Sequence, residues 1–251
     1  MTRTLVASDW HLGTFSPPAH AALAEAFLDR AREAGDAVIL NGDVFEGIFE
    51  PADRAEAAQP AVAARIAALG RDGRLRRTEG NHDPGSGEAD VVIDHATLGR
   101  LLVMHGHQVD PVHDSAMGRF GDGISRRYGR LGLVRGLARA VEVSVAALAA
   151  RRVDALHRER CAALADRRGC ALAIVGHTHR RHLAAGDRVV NTGCLTDTRL
   201  EYLVIDDGGL RLETLTGDGA AGANPTGDAA AGTDLTGDAA AGTAPATDPA
   251  R

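Results

Sequence analysis

Histidines, aspartates and two asparagines gather in five short clusters, which hold six of the eleven histidines of the chain. The clusters are Asp9-Trp10-His11, Asn41-Gly42-Asp43, Gly80-Asn81-His82-Asp83, His105-Gly106-His107 and Gly176-His177-Thr178-His179. Imidazoles and carboxylates together suit Mn, Fe, Zn or Co better than Ca or Mg alone. About seven such donors are too many for one tetrahedral ion and suit two ions that share a bridging carboxylate. Such a pair turns water into a hydroxide nucleophile near neutral pH and clamps an in-line displacement at phosphorus.

The elements that must position these clusters are short buried strands, because most of the aliphatic runs between helical segments stop at Gly, Asp, Asn or His. The predicted strands are Thr4–Ser8, Ala37–Leu40, Val91–Ile93, Leu101–Met104, Ala171–Val175, Val189–Val190 and Tyr202–Ile205. One helix is predicted from the helical spacing of Leu23, Phe27 and Ala31, and it is expected to end at Gly35. A second helix is predicted from the spacing of Val62, Ile66 and Leu69, with Pro60 near its start and Gly70 at its end. Residues 201–215 are predicted to form a hairpin turned at Asp207-Gly208-Gly209. The strand ends of an α/β sheet converge on one edge, so the clusters are expected to meet there.

Composition excludes several classes of chemistry. All 28 basic residues are Arg, which excludes a Schiff-base lysine and a phosphate-loop lysine. The net charge of −6 and the 3% aromatic content argue against a nucleic-acid partner. An odd count of three cysteines, all outside the clusters, argues against a disulfide framework and for a reducing compartment. Without a signal peptide or a long apolar run, we expect a cytoplasmic protein with no transmembrane segment.

The chain is expected to divide into a catalytic domain over residues 1–215 and a tail over residues 216–251. The tail repeats Thr-Gly-Asp every ten residues among Ala and Gly, and this composition predicts disorder. Inside the domain, residues 108–168 form a predicted helical insertion between the fourth and fifth clusters. Within it, Leu131–Ala150 has the pattern of an amphipathic helix. That helix either packs on the domain or covers the site. In the second case, arginines would bind phosphate and apolar side chains would contact a lipid chain.

The order Asp-x-His, Gly-Asp-x-x-Glu, Gly-Asn-His-Asp, His-Gly-His and Gly-His-x-His, from Ser8 to His179, resembles the calcineurin-like metallophosphoesterases. The resemblance implies an α/β fold of four layers, an αββα sandwich in which two mixed β-sheets pack face to face with helices outside. It implies a dinuclear phosphoesterase that hydrolyses a phosphate ester or pyrophosphate bond with a metal-bridging hydroxide. We expect two divalent ions, with Mn as the first choice and Fe, Zn or Co as alternatives.

Matched motif by motif, the resemblance assigns a role to each residue of the predicted site. The metal ligands are Asp9, His11 and His179 for the first ion, Asn81, His105 and His177 for the second, and Asp43 as the bridge. The resemblance places His82 at the leaving group, as general acid or as hydrogen-bond donor to the phosphoryl oxygens. It places Asp83 behind His82, where it would fix the orientation of the imidazole.

Several residues beside these ligands have open roles. The side chains of Glu46 and His107 each either contact a metal ligand, contact the substrate or lie on the protein surface. Trp10 is expected to pack beside the site, with stacking against substrate as the alternative. Glycines precede three predicted ligands, where a tight turn or a close approach leaves no room for a side chain. These glycines are Gly42, Gly80 and Gly176.

The nearest subgroup by resemblance is that of the UDP-2,3-diacylglucosamine pyrophosphohydrolases. The shared features are the opening Ser-Asp-x-His-Leu, the Gly-Asp-x-Phe-Glu second motif and a helical insertion before the last histidine pair. The chain has His82 where that subgroup carries Arg, and His107 where it carries Asp. The resemblance implies a small phosphoester or nucleotide-sugar lipid as substrate, and peripheral membrane contact stays open. The alternatives are a nuclease of the DNA-repair type and a non-catalytic scaffold of the same fold.

Overall fold

The computed structural model describes residues 2–110, 154–217 and 221–222. The helices are α1 (Pro18–Ala34), α2 (Ala52–Ala57) and α3 (Pro60–Arg71), with a short 3-10 helix at His107–Val109. Residues 154–167 are also helical. The strands are β1 (Thr4–Ala7), β2 (Ala37–Asn41), β3 (Leu75–Thr78), β4 (Val91–His95), β5 (Gly99–Val103), β6 (Leu172–Val175), β7 (Val189–Asn191), β8 (Arg199–Asp206), β9 (Gly209–Thr216) and β10 (Ala221–Gly222).

The strands form two mixed sheets. The first sheet has the order β10-β9-β8-β1-β2-β3, with β1, β2 and β3 parallel and the other strands antiparallel to their neighbours. The second sheet has the order β4-β5-β6-β7, with β5, β6 and β7 parallel and β4 antiparallel to β5. Each sheet therefore has a set of parallel strands whose C-terminal ends share one edge.

Alternation of side chains along the strands divides the apolar residues among three layers of core. In β1, Leu5 and Ala7 pack with the apolar faces of α1 and α3, whereas Val6 packs between the sheets. In β6, Ile174 faces the first sheet, whereas Val175 packs against the helical residues 154–167. This period of two follows from the opposite directions of successive side chains in a strand. The result is the predicted four-layer αββα sandwich with two mixed sheets.

Most helices and strands lie where the sequence pattern predicts them, but no pattern in the sequence predicts strand β3 or helix α2. The helical positions predicted from spacing are buried in α1 and α3, and Gly35 ends α1 in the left-handed conformation. Gly70, predicted to close α3, lies inside its last turn, and the left-handed glycine beyond it is Gly73. Strand β3 has the sequence Leu-Arg-Arg-Thr at the edge of its sheet, so no apolar run marked it. Helix α2 is short and was not predicted.

Two predictions concern residues beyond the described part of the chain. The amphipathic pattern of Leu131–Ala150 lies outside the described residues, as does most of the tail. Strand β9 ends at Thr216, one residue beyond the predicted end of the catalytic domain, and β10 pairs with it. Among the described residues, no helix combines the length and the apolar character that a bilayer crossing requires.

The core between the sheets is expected to dominate stability. We predict that Leu203→Ala lowers the free energy of unfolding by about 2–5 kcal/mol, because Leu203 is fully buried between the sheets and its loss leaves a cavity. Leu156→Ala removes the same atoms from a side chain that is 40% exposed, and its effect should stay within about 0.5 kcal/mol. Urea denaturation of both variants tests this, and equal losses would contradict the assigned layers.

Candidate metal centre

The clusters follow the parallel strands of both sheets, at their C-terminal ends. Asp9 lies beyond β1, Asp43 beyond β2 and Asn81 beyond β3 in the first sheet. His105 lies beyond β5 and His177 beyond β6 in the second sheet. The face-to-face packing of the sheets thus brings residues that are far apart in sequence to one place.

The loops after β1 and β6 bring together the three residues predicted for the first metal. The Nε2 atom of His179 lies 3.1 Å from Oδ1 of Asp9 and 3.1 Å from Nε2 of His11. The carboxylate of Asp9 also accepts a hydrogen bond from the backbone N–H of His177 at 3.0 Å. Ser8 donates to the same carboxylate and lies 2.7 Å from the Thr192 hydroxyl. Asp9 is therefore fixed on one side and faces two imidazole nitrogens on the other.

The residues around Asp43 form the deeper part of the cluster. Its Oδ1 atom accepts the backbone N–H of His82 at 2.8 Å, and its Oδ2 atom lies 3.1 Å from Nε2 of His105. The Nδ1 atom of His105 lies 2.9 Å from the carbonyl oxygen of Asn41, to which it donates. This donation directs the other ring nitrogen of His105 toward the carboxylates of Asp43 and Asp9. His105 is completely buried, whereas His11 and His179 are partly exposed at the opposite side of the cluster.

The imidazole of His177 lies between two side-chain oxygens, one from Asn81 and one from Asp110. Its Nδ1 atom is 3.1 Å from Oδ1 of Asn81, and its ring centre is 5.3 Å from that of His105. Its Nε2 atom is 2.6 Å from Oδ2 of Asp110. A carboxylate behind a ligating histidine fixes the ring and its tautomer. Asp110 lies just beyond the short helix that starts at His107, and nothing in the sequence pattern distinguished it.

The carboxylate that contacts the His82 imidazole is that of Glu46. The Nδ1 atom of His82 lies 2.9 Å from Oε1 of Glu46, which also accepts the backbone N–H of Ile48. The resemblance assigns the orienting role to Asp83, and that role stays a prediction. Both oxygens of Asp83 accept backbone N–H groups, and Arg77 lies 3.6 Å from one of them. Asp83 thus ties the loops after β2 and β3 together and supports the site through the backbone.

Two further residues with open roles have clear positions. Trp10 is buried in the core and packs edge-on against Phe27, with 5.9 Å between ring centres. The alternative of stacking against substrate is therefore wrong for Trp10. The ring of His107 lies 5.4 Å from that of His105, beside the predicted ligands.

The backbone is strained where the predicted ligands lie. Among the described residues, those other than glycine with a positive φ are Asp9, His11, Asp43, His177 and His179, with φ values of 57°, 47°, 52°, 65° and 55°. Each such residue costs about 1–3 kcal/mol, so the surrounding structure must hold it in place. The loop hydrogen bonds do so: the backbone N–H groups of Trp10 and His11 both donate to the carbonyl of Asp43.

Glycines allow the ligand loops to approach one another. A Cβ on Gly80 would collide with the carboxylate and backbone N of Asp43, and one on Gly42 would lie 2.6 Å from the ring of His105. A Cβ on Gly176 would collide with Ser8 and Asp9. The prediction that these positions have no room for a side chain is confirmed, and neighbouring ligands are the cause.

The charges of the cluster are unusual for a protein interior. Asp9 and Asp43 are each 1% exposed, and among the described residues their ion-pair partners are histidines. Burial opposes ionisation, but the imidazoles of His179 and His105 hold the pKa of Asp9 at about 2. His105 likewise outweighs burial and lowers the pKa of Asp43. Burial disfavours the charged imidazole of His105, but Asp43 and Asp9 raise its pKa to about 10. Two buried carboxylates therefore remain ionised and require positive charge beside them.

The donor set fits divalent cations. The Nε2 atom of His105 is buried with no hydrogen-bond partner among the described residues, although it faces Asp43. Burial and the neighbouring His82 lower the pKa of His11 to about 4, which leaves its imidazole neutral and able to bind a cation. Ligand atoms lie within 4.8 Å of one another in the groups Asp9, His11, His179 and Asp9, Asp43, His105. Imidazole and carboxylate donors of this kind suit Mn, Fe, Zn and Co.

We predict that Gly80→Ala disrupts the centre, because the added methyl group collides with Asp43. Metal uptake should fall at least about tenfold, and the free energy of unfolding should fall by about 1–3 kcal/mol. Gly70→Ala is the matched control, because its Cβ would meet nothing closer than 4.0 Å and alanine favours the helix. Calorimetric titration with Mn and urea denaturation would measure both effects, and wild-type Mn affinity in Gly80→Ala would contradict the packing described.

We predict that Asp110→Asn weakens Mn binding by about 10–100-fold, because an amide holds the His177 ring less firmly than a carboxylate does. Asp94→Asn, which alters an exposed carboxylate away from the cluster, should bind Mn as the wild type does. Titration calorimetry distinguishes these results, and an unchanged affinity in Asp110→Asn would show that His177 needs no support from Asp110.

Comparison with solved structures finds several proteins that are similar to this chain. The chain is similar to a Vps29 single mutant from Entamoeba histolytica at 18% identity, covering 88% of this chain and 96% of that one, with a TM-score of 0.47. It is similar to a dimetal phosphatase from Danio rerio at 10% identity, covering 86% and 95%, with a TM-score of 0.48. A predicted phosphoesterase from Streptococcus pneumoniae TIGR4 is 17% identical over 87% and 91%, with a TM-score of 0.43. No curated protein sequence matches the chain.

The family is established by a match to a sequence family rather than by these structures. The sequence profile of the calcineurin-like phosphoesterases matches residues 2–181, which include all five clusters. The chain therefore belongs to the calcineurin-like phosphoesterase family.

Proposed function

We propose that the chain is a hydrolase that cleaves a phosphate ester or pyrophosphate bond with two divalent cations. The observation that carries this proposal is the pair of ionised, buried carboxylates, Asp9 and Asp43, with imidazole nitrogens directed at them. The imidazole of His105, with its raised pKa, balances part of this buried negative charge, and bound cations would balance it fully. Membership of the family supports the same chemistry.

In the proposed assignment, each cation takes ligands from both sheets. The ligands are Asp9, His11 and His179 for the first cation, Asn81, His105 and His177 for the second, and Asp43 between them. The central place of Asp43 supports the bridging role, because its Oδ2 atom lies 3.1 Å from His105 and 3.9 Å from His11. Bound cations would lower the pKa of water and neutralise the phosphoryl oxygens. Mn is the cation we expect, with Fe, Zn or Co as alternatives.

His82 is the proposed proton donor. Its side chain is 14% exposed, its ring centre is 4.4 Å from that of His11, and Glu46 holds its Nδ1 atom. The hydrogen bond from His82 outweighs burial and lowers the pKa of Glu46, so an ionised carboxylate faces the Nδ1 atom of His82. His82 then donates to the leaving-group oxygen or to a phosphoryl oxygen. Because His179 and His11 are the more exposed ligands, substrate approaches from their side.

For the substrate, we propose a small phosphoester or diphosphate, with a nucleotide-sugar lipid as the specific candidate. The support is the resemblance of the opening motif, the second motif and the insertion to the UDP-2,3-diacylglucosamine pyrophosphohydrolases. A nuclease role lacks such support, because the net charge is −6 and no basic excess is present.

The reaction is tested with p-nitrophenyl phosphate and bis-p-nitrophenyl phosphate in the presence of Mn. We expect turnover that chelation abolishes and Mn restores. Asp43→Asn should lose nearly all activity, and His82→Ala should lose about 10²–10⁴-fold in kcat. His20→Ala, which removes an imidazole on α1 that pairs with Asp197, is the control and should retain full activity.

Two outcomes would overturn the proposal. One is a folded, Mn-loaded chain that turns over neither of these esters nor a panel of nucleotide-sugar and lipid phosphoesters. The other is undiminished activity in Asp43→Asn or His82→Ala. A folded chain that binds no metal would favour the scaffold role.

A further inference from the structure

A cavity of about 210 Å³ lies beside the metal centre, behind the loop that carries His177 and His179. Its walls come from the helical stretch, the segment after β6, and strands β6 and β7. The lining residues are Asp154, His157, Arg158, Val175, Thr178, Arg180, Arg181, His182, Val189 and Asn191. Thr178, which separates the two predicted ligands, lines it, and the lining residue His157 packs 5.8 Å from the ring of His177. Pockets for drug-sized ligands measure about 300–1,000 Å³, so this cavity suits a small group rather than a whole substrate.

The lining of the cavity is positively charged. Three arginines line it, namely Arg158, Arg180 and Arg181, against one carboxylate, Asp154. Arg158 is close to carboxylates, at 3.7 Å from Asp187 and 4.0 Å from Asp154. The lining histidine, His182, lies 2.5 Å from Asp187.

The other two arginines, Arg180 and Arg181, have no carboxylate partner among the residues that the structure describes. Arg181 donates to the carbonyl of Leu212 and to the hydroxyl of Thr214, which are both neutral acceptors. Arg180 is exposed and makes no ion pair or hydrogen bond with another described residue. In addition, the Nε atom of Arg158 is buried with no hydrogen-bond partner among the described residues. The cavity thus presents unused guanidinium donors and an excess of positive charge.

We propose that this cavity is an oxyanion site that binds a phosphoryl group distinct from the one at the metal centre. Guanidinium groups bind phosphate through charge-assisted hydrogen bonds, and Arg180 directly follows the predicted ligand His179. The inference rests on the proposed function for its link to catalysis: the anion is either a second phosphoryl group of the substrate or free phosphate. Binding of the anion in this cavity depends on the arginines and not on the metal centre.

The first test measures binding of inorganic phosphate to the full-length, chelator-treated chain by titration calorimetry. We expect Arg180→Gln to raise the dissociation constant about tenfold or more, because one charged donor is lost. Arg180→Lys should keep part of the affinity, because it keeps the charge without the planar fork. Arg71→Gln, which removes an exposed arginine at the end of α3, should bind as the wild type does. No phosphate binding by the wild type, or equal binding by Arg180→Gln, would overturn the proposal.

The second test separates the two sources of the anion with the Mn-loaded chain. If the site takes a second phosphoryl group, Arg180→Gln raises KM about tenfold for UDP-glucose and leaves KM for p-nitrophenyl phosphate unchanged. If it takes free phosphate, both KM values stay unchanged, whereas binding of phosphate in the first test is lost. Since the first test requires neither metal nor turnover, an inactive chain would refute the proposed function and leave the oxyanion site standing.

Discussion

Two carboxylates are buried at the meeting point of two sheets, and their need for positive charge organises the surrounding structure. Asp9 and Asp43 have no arginine partner among the described residues, and the sequence contains no lysine. Imidazoles surround them, and one of these, His105, is buried to the same degree. One buried imidazole beside two buried carboxylates leaves negative charge in the interior, and this arrangement is compatible with a divalent metal site.

The supporting residues explain how that arrangement persists. Strained backbone at the predicted ligands is held by hydrogen bonds between loops, and Asp83 accepts three of these from backbone amides. Glu46 and Asp110 fix the rings of His82 and His177 from outside the ligand set. The ligand residues are thereby held in place before any ion binds, which favours tight binding and a defined geometry.

Much of the fold and the cluster could be predicted because the signals are local. Polar clusters follow the apolar runs, so the strands and the common edge at which the clusters meet could be predicted from the sequence, whereas the two-sheet sandwich was implied by the resemblance to the family. Three features of the structure could not be predicted from the sequence. Strand β3 has two arginines in place of an apolar run, since it lies at a sheet edge. Asp110 contacts His177 across 67 residues, and the contact between Glu46 and His82 depends on loop geometry. Long-range contacts of this kind have no periodic signature.

The measurement that tests the central claim most directly is anomalous diffraction from a crystal of the full-length chain grown with Mn. The account predicts two Mn peaks on either side of Asp43, about 3.5–4 Å apart, one beside His11 and His179 and one beside His105 and His177. A difference map without Mn among these residues, or with Mn bound elsewhere at full occupancy, would contradict it.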